Sequence, residues 1–99
     1  NKTLLALLTD NNNASASNTN GLLKNIHSAN VSVQIIDNAG SALPIAPKNI
    51  NNSSSFFNIG TIGPSGTVSK GFKARYYSNV ATVPATLVQA QATITLIYN

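Results

Sequence analysis

The chain closes on TLVQAQATITLIYN, residues 86–99, where apolar and polar side chains alternate almost to the last position. A period of two marks a β-strand with one buried face, because successive side chains leave a strand on opposite sides. Val88, Ala90, Ala92, Ile94, Leu96 and Tyr98 share one side of that strand, and Gln89, Gln91, Thr93 and Thr95 dominate the other. Chain ends are ordinarily held loosely. A strand this regular at such a place requires a partner along its edge and a cover for its apolar side.

The rest of the chain reads in the same idiom. Val31, Val33 and Ile35 alternate with Ser32, Gln34 and Ile36, and the run stops at Asp37, Asn38, Ala39 and Gly40, the residue types that turns favour. Residues 41–45 resume as a short extended piece, which Pro44 and Pro47 confine to an edge or an irregular strand. Residues 67–77 predict a strand with Val68, Lys70, Phe72, Ala74 and Tyr76 on one side, and Phe72, Ala74 and Tyr76 as its core residues. Residues 3–9, TLLALLT, are apolar without a decisive period and fit either a helical turn or a buried strand. Residues 10–20 and 49–55 are small, polar and turn-rich, residues 21–28 are weakly patterned, and GTIGPSG at 60–66 reads as a turn. Four or five strands without a long helix predict an all-β sandwich or barrel, with no internal repeat and no second domain.

Composition removes many chemistries. The 99 residues contain no cysteine, so disulfide stapling, thiol catalysis and thiolate metal sites are all absent. Six Lys and Arg against two acids give a net charge of +4 and a pI of about 9.8. Lys2, Lys24 and Lys48 stand singly, however, and only Lys70, Lys73 and Arg75 come close together, with Lys73 and Arg75 on one side of a strand and Lys70 on the other. That is not the clustered basic stripe of a nucleic-acid interface, and no nucleic-acid partner is expected. No apolar run reaches the ~18 residues of a membrane span, so the chain is not expected to be embedded in a membrane. No signal-peptide pattern is present, and a first residue of Asn points to a processed product, a fragment or part of a longer chain.

Catalytic constellations are equally sparse. The single histidine, His27, lies in a loop, and Asp10 and Asp37 are the only acids. No nucleophile-elbow sequence accompanies them, and Asp37 sits in a turn where its carboxylate has local work. Two acids are too few to hold calcium well. GTIGPSG lacks the Lys-Ser/Thr ending of a phosphate loop. Tyr76 and Tyr77 point to opposite sides of a strand, which predicts one in the core and one at the surface rather than a stacking platform. Neither an enzyme, nor a cofactor, nor a metal is expected. Binding or assembly remains.

Four segments resemble one family. VSVQIIDNAGSALPI at 31–45 is similar to the GxGIQLLDxxGxPLPL segment of chaperone–usher pilus subunits. FKARY at 72–76 resembles their FxARY strand, AQATITLIYN at 90–99 their final strand with its penultimate tyrosine, and LLAL at 4–7 the segment preceding a loop in many of them. The resemblance implies an incomplete immunoglobulin-like β-sandwich lacking its last strand, completed by a donor strand from another chain. A neighbouring subunit's N-terminal extension would fill a groove edged by residues 87–98, with Val88, Ala90, Ala92, Ile94, Leu96 and Tyr98 lining it. A periplasmic chaperone would occupy that groove first, Tyr98 marking the end where it docks, and an outer-membrane usher would serve assembly. This is β-strand addition, and it implies a structural role in extracellular surface fimbriae and in cell adhesion, after passage through the periplasm.

Thr86 stands where these subunits commonly carry glycine, which predicts a narrower or shifted groove at that end. Family members also carry a donor extension and further strands before the LLAL segment. Set against about seven strands in about 100 residues, the chain reads as a single, N-terminally truncated pilin-type domain over 1–99, not expected to fold alone. Two other readings remain: the pilin-like domain of a tip adhesin, and a small β-sandwich binding or coat module.

Overall fold

A computed structural model describes residues 2–49, 51, 55–64, 66–83 and 85–98. Six strands appear in the order β1 (Lys2–Asp10), β2 (Leu22–Leu23), β3 (Val31–Asp37), β4 (Phe57–Ile62), β5 (Phe72–Ser78) and β6 (Ala92–Tyr98). They form two antiparallel three-stranded sheets, β4-β1-β6 and β2-β3-β5, with no α-helix among the described residues. The all-β expectation holds, and the architecture is an incomplete immunoglobulin-like sandwich.

The apolar run at 3–9 is a strand. As the centre of its sheet, β1 pairs with β4 over residues 2–6 and with β6 over residues 4–10. Ala6, Leu7, Leu8, Thr9 and Asp10 are all buried, so both sides of β1 are covered. A strand covered on both sides has no reason to alternate, which is why its sequence shows no period. The β1–β4 register slips between Leu4 and Leu5, whose partners are Gly60 and Asn58, so Ile59 forms a bulge.

The predicted strand at 31–36 and its turn are present. The Asp37 carboxylate oxygen Oδ1 accepts from the amides of Ala39 and Ser41, both at 2.9 Å, and Gly40 adopts φ of 90°. The chain then crosses to the other sheet. Ile45 makes isolated bridges to Leu8 and Asn18, and the amide of Ala46 donates to Leu8 at 2.9 Å. Pro44 and Pro47 flank this crossing without interrupting it, because neither has an amide to spend there. Gly21, at φ of 70°, accepts from the amide of Ile35 at 2.8 Å. A Cβ there would run into the Ile35 carbonyl oxygen, so only glycine lets β2 approach β3.

Leu8, Leu23, Leu43 and Ile45 form the core between the sheets, and Val33, Ile35, Phe57 and Ala90 pack against it. Phe57 and Phe72 join the layers edge to face, with ring centroids 5.9 Å apart at 85°. The molecule is not closed around this core. Its radius of gyration is 14.9 Å, against about 13 Å for a compact domain of this length.

Four boundaries differ from the sequence reading. β5 begins at Phe72 rather than at residue 67, and β6 begins at Ala92 rather than at residue 86 or 87. Gly60, Thr61 and Ile62 belong to β4, leaving the turn to the residues after them. Leu22 and Leu23, in the weakly patterned stretch, form a two-residue strand against Val33 and Gln34. Parts of three expected segments, Ile50 and residues 52–54 of the polar run, Ser65 of the turn at 60–66 and Asn99 of the closing strand, lie outside the described residues.

Candidate functional site: a cleft between two open strand edges

Directly opposed residues of paired strands share a side of the sheet. Ile94 therefore lies on the same side as Leu8, and Leu96 on the same side as Ala6, both facing the space between the sheets. Leu8 and Ala6 are 3% and 0% exposed, whereas Ile94 and Leu96 are 49% and 58% exposed. The difference is one strand's width. β6 has β1 along one edge, and no described strand pairs with its other edge.

The second sheet repeats the pattern. β5 pairs with β3 on one side and with no described strand on the other, and all seven of its residues are exposed. Ala74 is opposite Ile35 and Tyr76 opposite Val33, so both face inward with their partners. Phe72, Ala74 and Tyr76, expected as core residues, are thus on the core side but uncovered, and Tyr76 is 77% exposed. Tyr76 and Tyr77 do leave opposite sides, yet both are exposed. The expectation of one buried ring fails because no described residue covers the inner face at that end of β5.

Between the two edges runs an open cleft of about 830 Å3. Leu23, Val33, Ile35, Ala74 and Tyr76 form its wall on one sheet, and Val88, Ala90 and Ala92 form the opposite wall. Of the groove residues expected from the sequence, those three line the cleft. Ile94, Leu96 and Tyr98 continue the same side of the chain beyond it as an exposed apolar strip.

Residues 87–91 alternate as β6 does but form no ladder, being held instead by side chains from the loop after β2. Asn25, 3% exposed, donates from Nδ2 to the carbonyl of Leu87 at 3.1 Å and accepts at Oδ1 from the amide of Gln89 at 2.9 Å. The amide of Ile26 donates to the Gln89 carbonyl at 3.3 Å. Nε2 of His27 lies 3.2 Å from Oε1 of Gln89. Nothing in the spacing around Asn25 marks it, since an asparagine among many asparagines reads as loop.

A second cavity, about 500 Å3, brings Asp10 and His27 to one lining. It does not assemble a triad. The Asp10 oxygens accept from the amides of Asn12 at 3.0 Å and Lys24 at 2.7 Å, while His27 faces Gln89. No group of three metal-ligating side chains occurs among the described residues. Arg75 is engaged by its cross-strand neighbour, donating from Nε to Oε1 of Gln34 at 2.6 Å. Hydrogen bonds from the amides of Ser41 and then Ala39, with Lys70 nearby, hold the Asp37 carboxyl below the usual carboxylate range despite some desolvation. What the cleft offers is main-chain hydrogen-bonding groups along open edges beside apolar side chains. Among the described residues no helix is long and apolar enough to cross a membrane.

The family model described as Fimbrial protein matches residues 1–99. No curated protein and no solved structure is significantly similar to the chain.

Proposed function

This chain belongs to the fimbrial protein family, and we propose that it is joined to its neighbours by strand addition at the open edge of β6. A fimbrial subunit associates with other subunits in a surface appendage, and its family is not one of enzymes. The finer reading is that an extended segment from a neighbouring subunit lies along residues 87–98 and completes the sandwich. The observation that carries it is the contrast between buried Leu8 and Ala6 and their exposed partners Ile94 and Leu96.

An added strand would supply what both edges lack. Each large apolar side chain gains roughly 1.5–3 kcal/mol on complete burial, so a half-exposed Ile94 or Leu96 gains about half of that. Main-chain hydrogen bonds add about 0.5–1.5 kcal/mol each and fix the register. Left open, such an edge is an aggregation hazard, which argues for a periplasmic chaperone that covers it before an outer-membrane usher passes the subunit to the cell surface. On this reading the 99 residues act within one pilin-type domain, Val88 to Tyr98 on the even-numbered side receive the strand, and the fibre serves cell adhesion.

The test places Ile94→Asp and Leu96→Asp separately in the full-length subunit and measures incorporation into fibres. Both variants are expected to be excluded while subunit synthesis continues. Normal polymerisation by either one overturns the assignment.

A further inference from the structure

We infer that Asn25 is a positioning residue for strand uptake, acting through Leu87 and Gln89 to hold Val88 and Ala90 in the wall of the cleft. This rests on the strand-addition reading above. The carboxamide donates to the carbonyl of residue 87 and accepts from the amide of residue 89. A residue in a parallel strand makes the same two bonds to the neighbours of its opposite number, so one side chain does here what a strand's main chain does elsewhere. Val88 is the residue so bracketed, and its two flanking peptide groups are fixed by one buried group.

The reason such a clamp is needed lies in the ladder. The β1–β6 pairing ends at Asp10 and Ala92, and beyond it the amide of Asn11 reaches the Gln91 carbonyl at 2.9 Å and Nδ2 of Asn12 the Gln89 carbonyl at 3.5 Å. Without Asn25, residues 87–90 would keep no long-range bonds but those made by Gln89, and nothing described would hold the Leu87 carbonyl against the core. The half of the cleft wall formed by Val88 and Ala90 therefore depends on the loop after β2, whereas Ala92, Ile94, Leu96 and Tyr98 depend on β1. The carboxamide is itself fixed, its Oδ1 also accepting from the amide of His27 at 3.2 Å. Oδ1 thus serves two donors and Nδ2 one acceptor, so isosteric Asp keeps the acceptor but sets a second carboxylate oxygen against the Leu87 carbonyl and buries a charge there.

The test uses the full-length subunit, wild type, Asn25→Ala and Asn25→Asp, with a synthetic peptide alternating isoleucine and threonine over about 11 residues, one for each position from 88 to 98. Two companion peptides carry glycine over the N-terminal or the C-terminal third. In either strand orientation, one companion lacks side chains over Val88 and Ala90. Asn25→Ala is expected to weaken binding of the full peptide about tenfold, Asn25→Asp to weaken it at least as much, and one companion to bind wild type and Asn25→Ala equally. That last equality separates positioning from loss of the fold, which lowers binding of all three peptides together. Equal weakening toward every peptide, or none toward any, overturns the role of Asn25 while leaving strand addition intact. Failure of wild type to bind any of the peptides overturns both.

Discussion

Leu8 and Ile94 face each other across one antiparallel pair, on the same side of the same sheet. One is 3% exposed and the other 49%. Their side chains are of nearly equal size and hydrophobicity, so the difference belongs to their places. β1 has a strand along each edge, and the core cluster lies over its inner side. β6 has one neighbour, and no described strand lies along its other edge. An apolar side on a strand states a demand for burial, and the demand is met within the chain at β1 and left open at β6. On the strand-addition proposal, that remainder supplies the affinity between subunits.

The largest expected effect tests this contrast directly. Leu8→Ala should cost about 2–5 kcal/mol, as filled core positions do, measured by denaturant unfolding of the full-length subunit. Ile94→Ala in the same protein without an added strand should cost less than about 1 kcal/mol, since half of its surface is already wet. With a bound strand the cost of Ile94→Ala should rise toward that of Leu8→Ala. Equal costs without a strand would break the comparison, because β6 would then already be covered.

The same contrast explains what could be read from the residues. Alternation in 92–98 located β6 and its apolar side, and Asp37 to Gly40 located the turn after β3. β1 was ambiguous between helix and strand because a strand buried on both sides loses its period, the very property that makes it central. The start of β6 is not legible in the residues, because 87–91 alternate equally well. Alternation reports which side of the chain is apolar and says nothing of what holds the main chain, here the Asn25 carboxamide. The residues put Tyr76 on the inner side of β5, as found, and predict a burial that the structure does not give it. Side is a property of the local sequence, whereas cover is supplied from elsewhere.

A smaller effect probes the far side of the same strand pair. The hydroxyls of Thr9 and Thr95 are buried with no hydrogen-bond partner among the described residues. Both lie on the side of the sheet opposite to Leu8 and Ile94, since odd and even positions diverge along β1 and β6. This side is covered well enough to exclude water from both oxygens, so β6 is more open toward the cleft than behind it, where Thr93, Thr95 and Ile97 are half-buried. Replacing a buried, unpaired hydroxyl by a methyl of the same shape removes a desolvation cost. Thr9→Val and Thr95→Val are each expected to raise stability by about 1 kcal/mol in denaturant unfolding, with uptake of a strand at the cleft unchanged. A loss of strand uptake in Thr95→Val would show that the two sides of β6 are not independent.

The smallest effect concerns acid. Asp37 carries the lowered carboxyl, held down first by the amide of Ser41. Its folded-state value lies below the unfolded one, so its contribution is fully present above about pH 4. The contribution disappears as pH falls through the lowered folded value. Asp37 closes β3 opposite Phe72, the first residue of the open strand β5, so protonation loosens the sheet with the open β5 edge before the one centred on β1. Amide exchange at reduced pH should show earlier loss of protection in β3 and β5 than in β1, and Asp37→Asn should remove that pH dependence. Its exposure to solvent keeps the effect small. Simultaneous loss of protection in both sheets would mean that the core between Leu8 and Leu23 couples them into one unit even with the cleft empty.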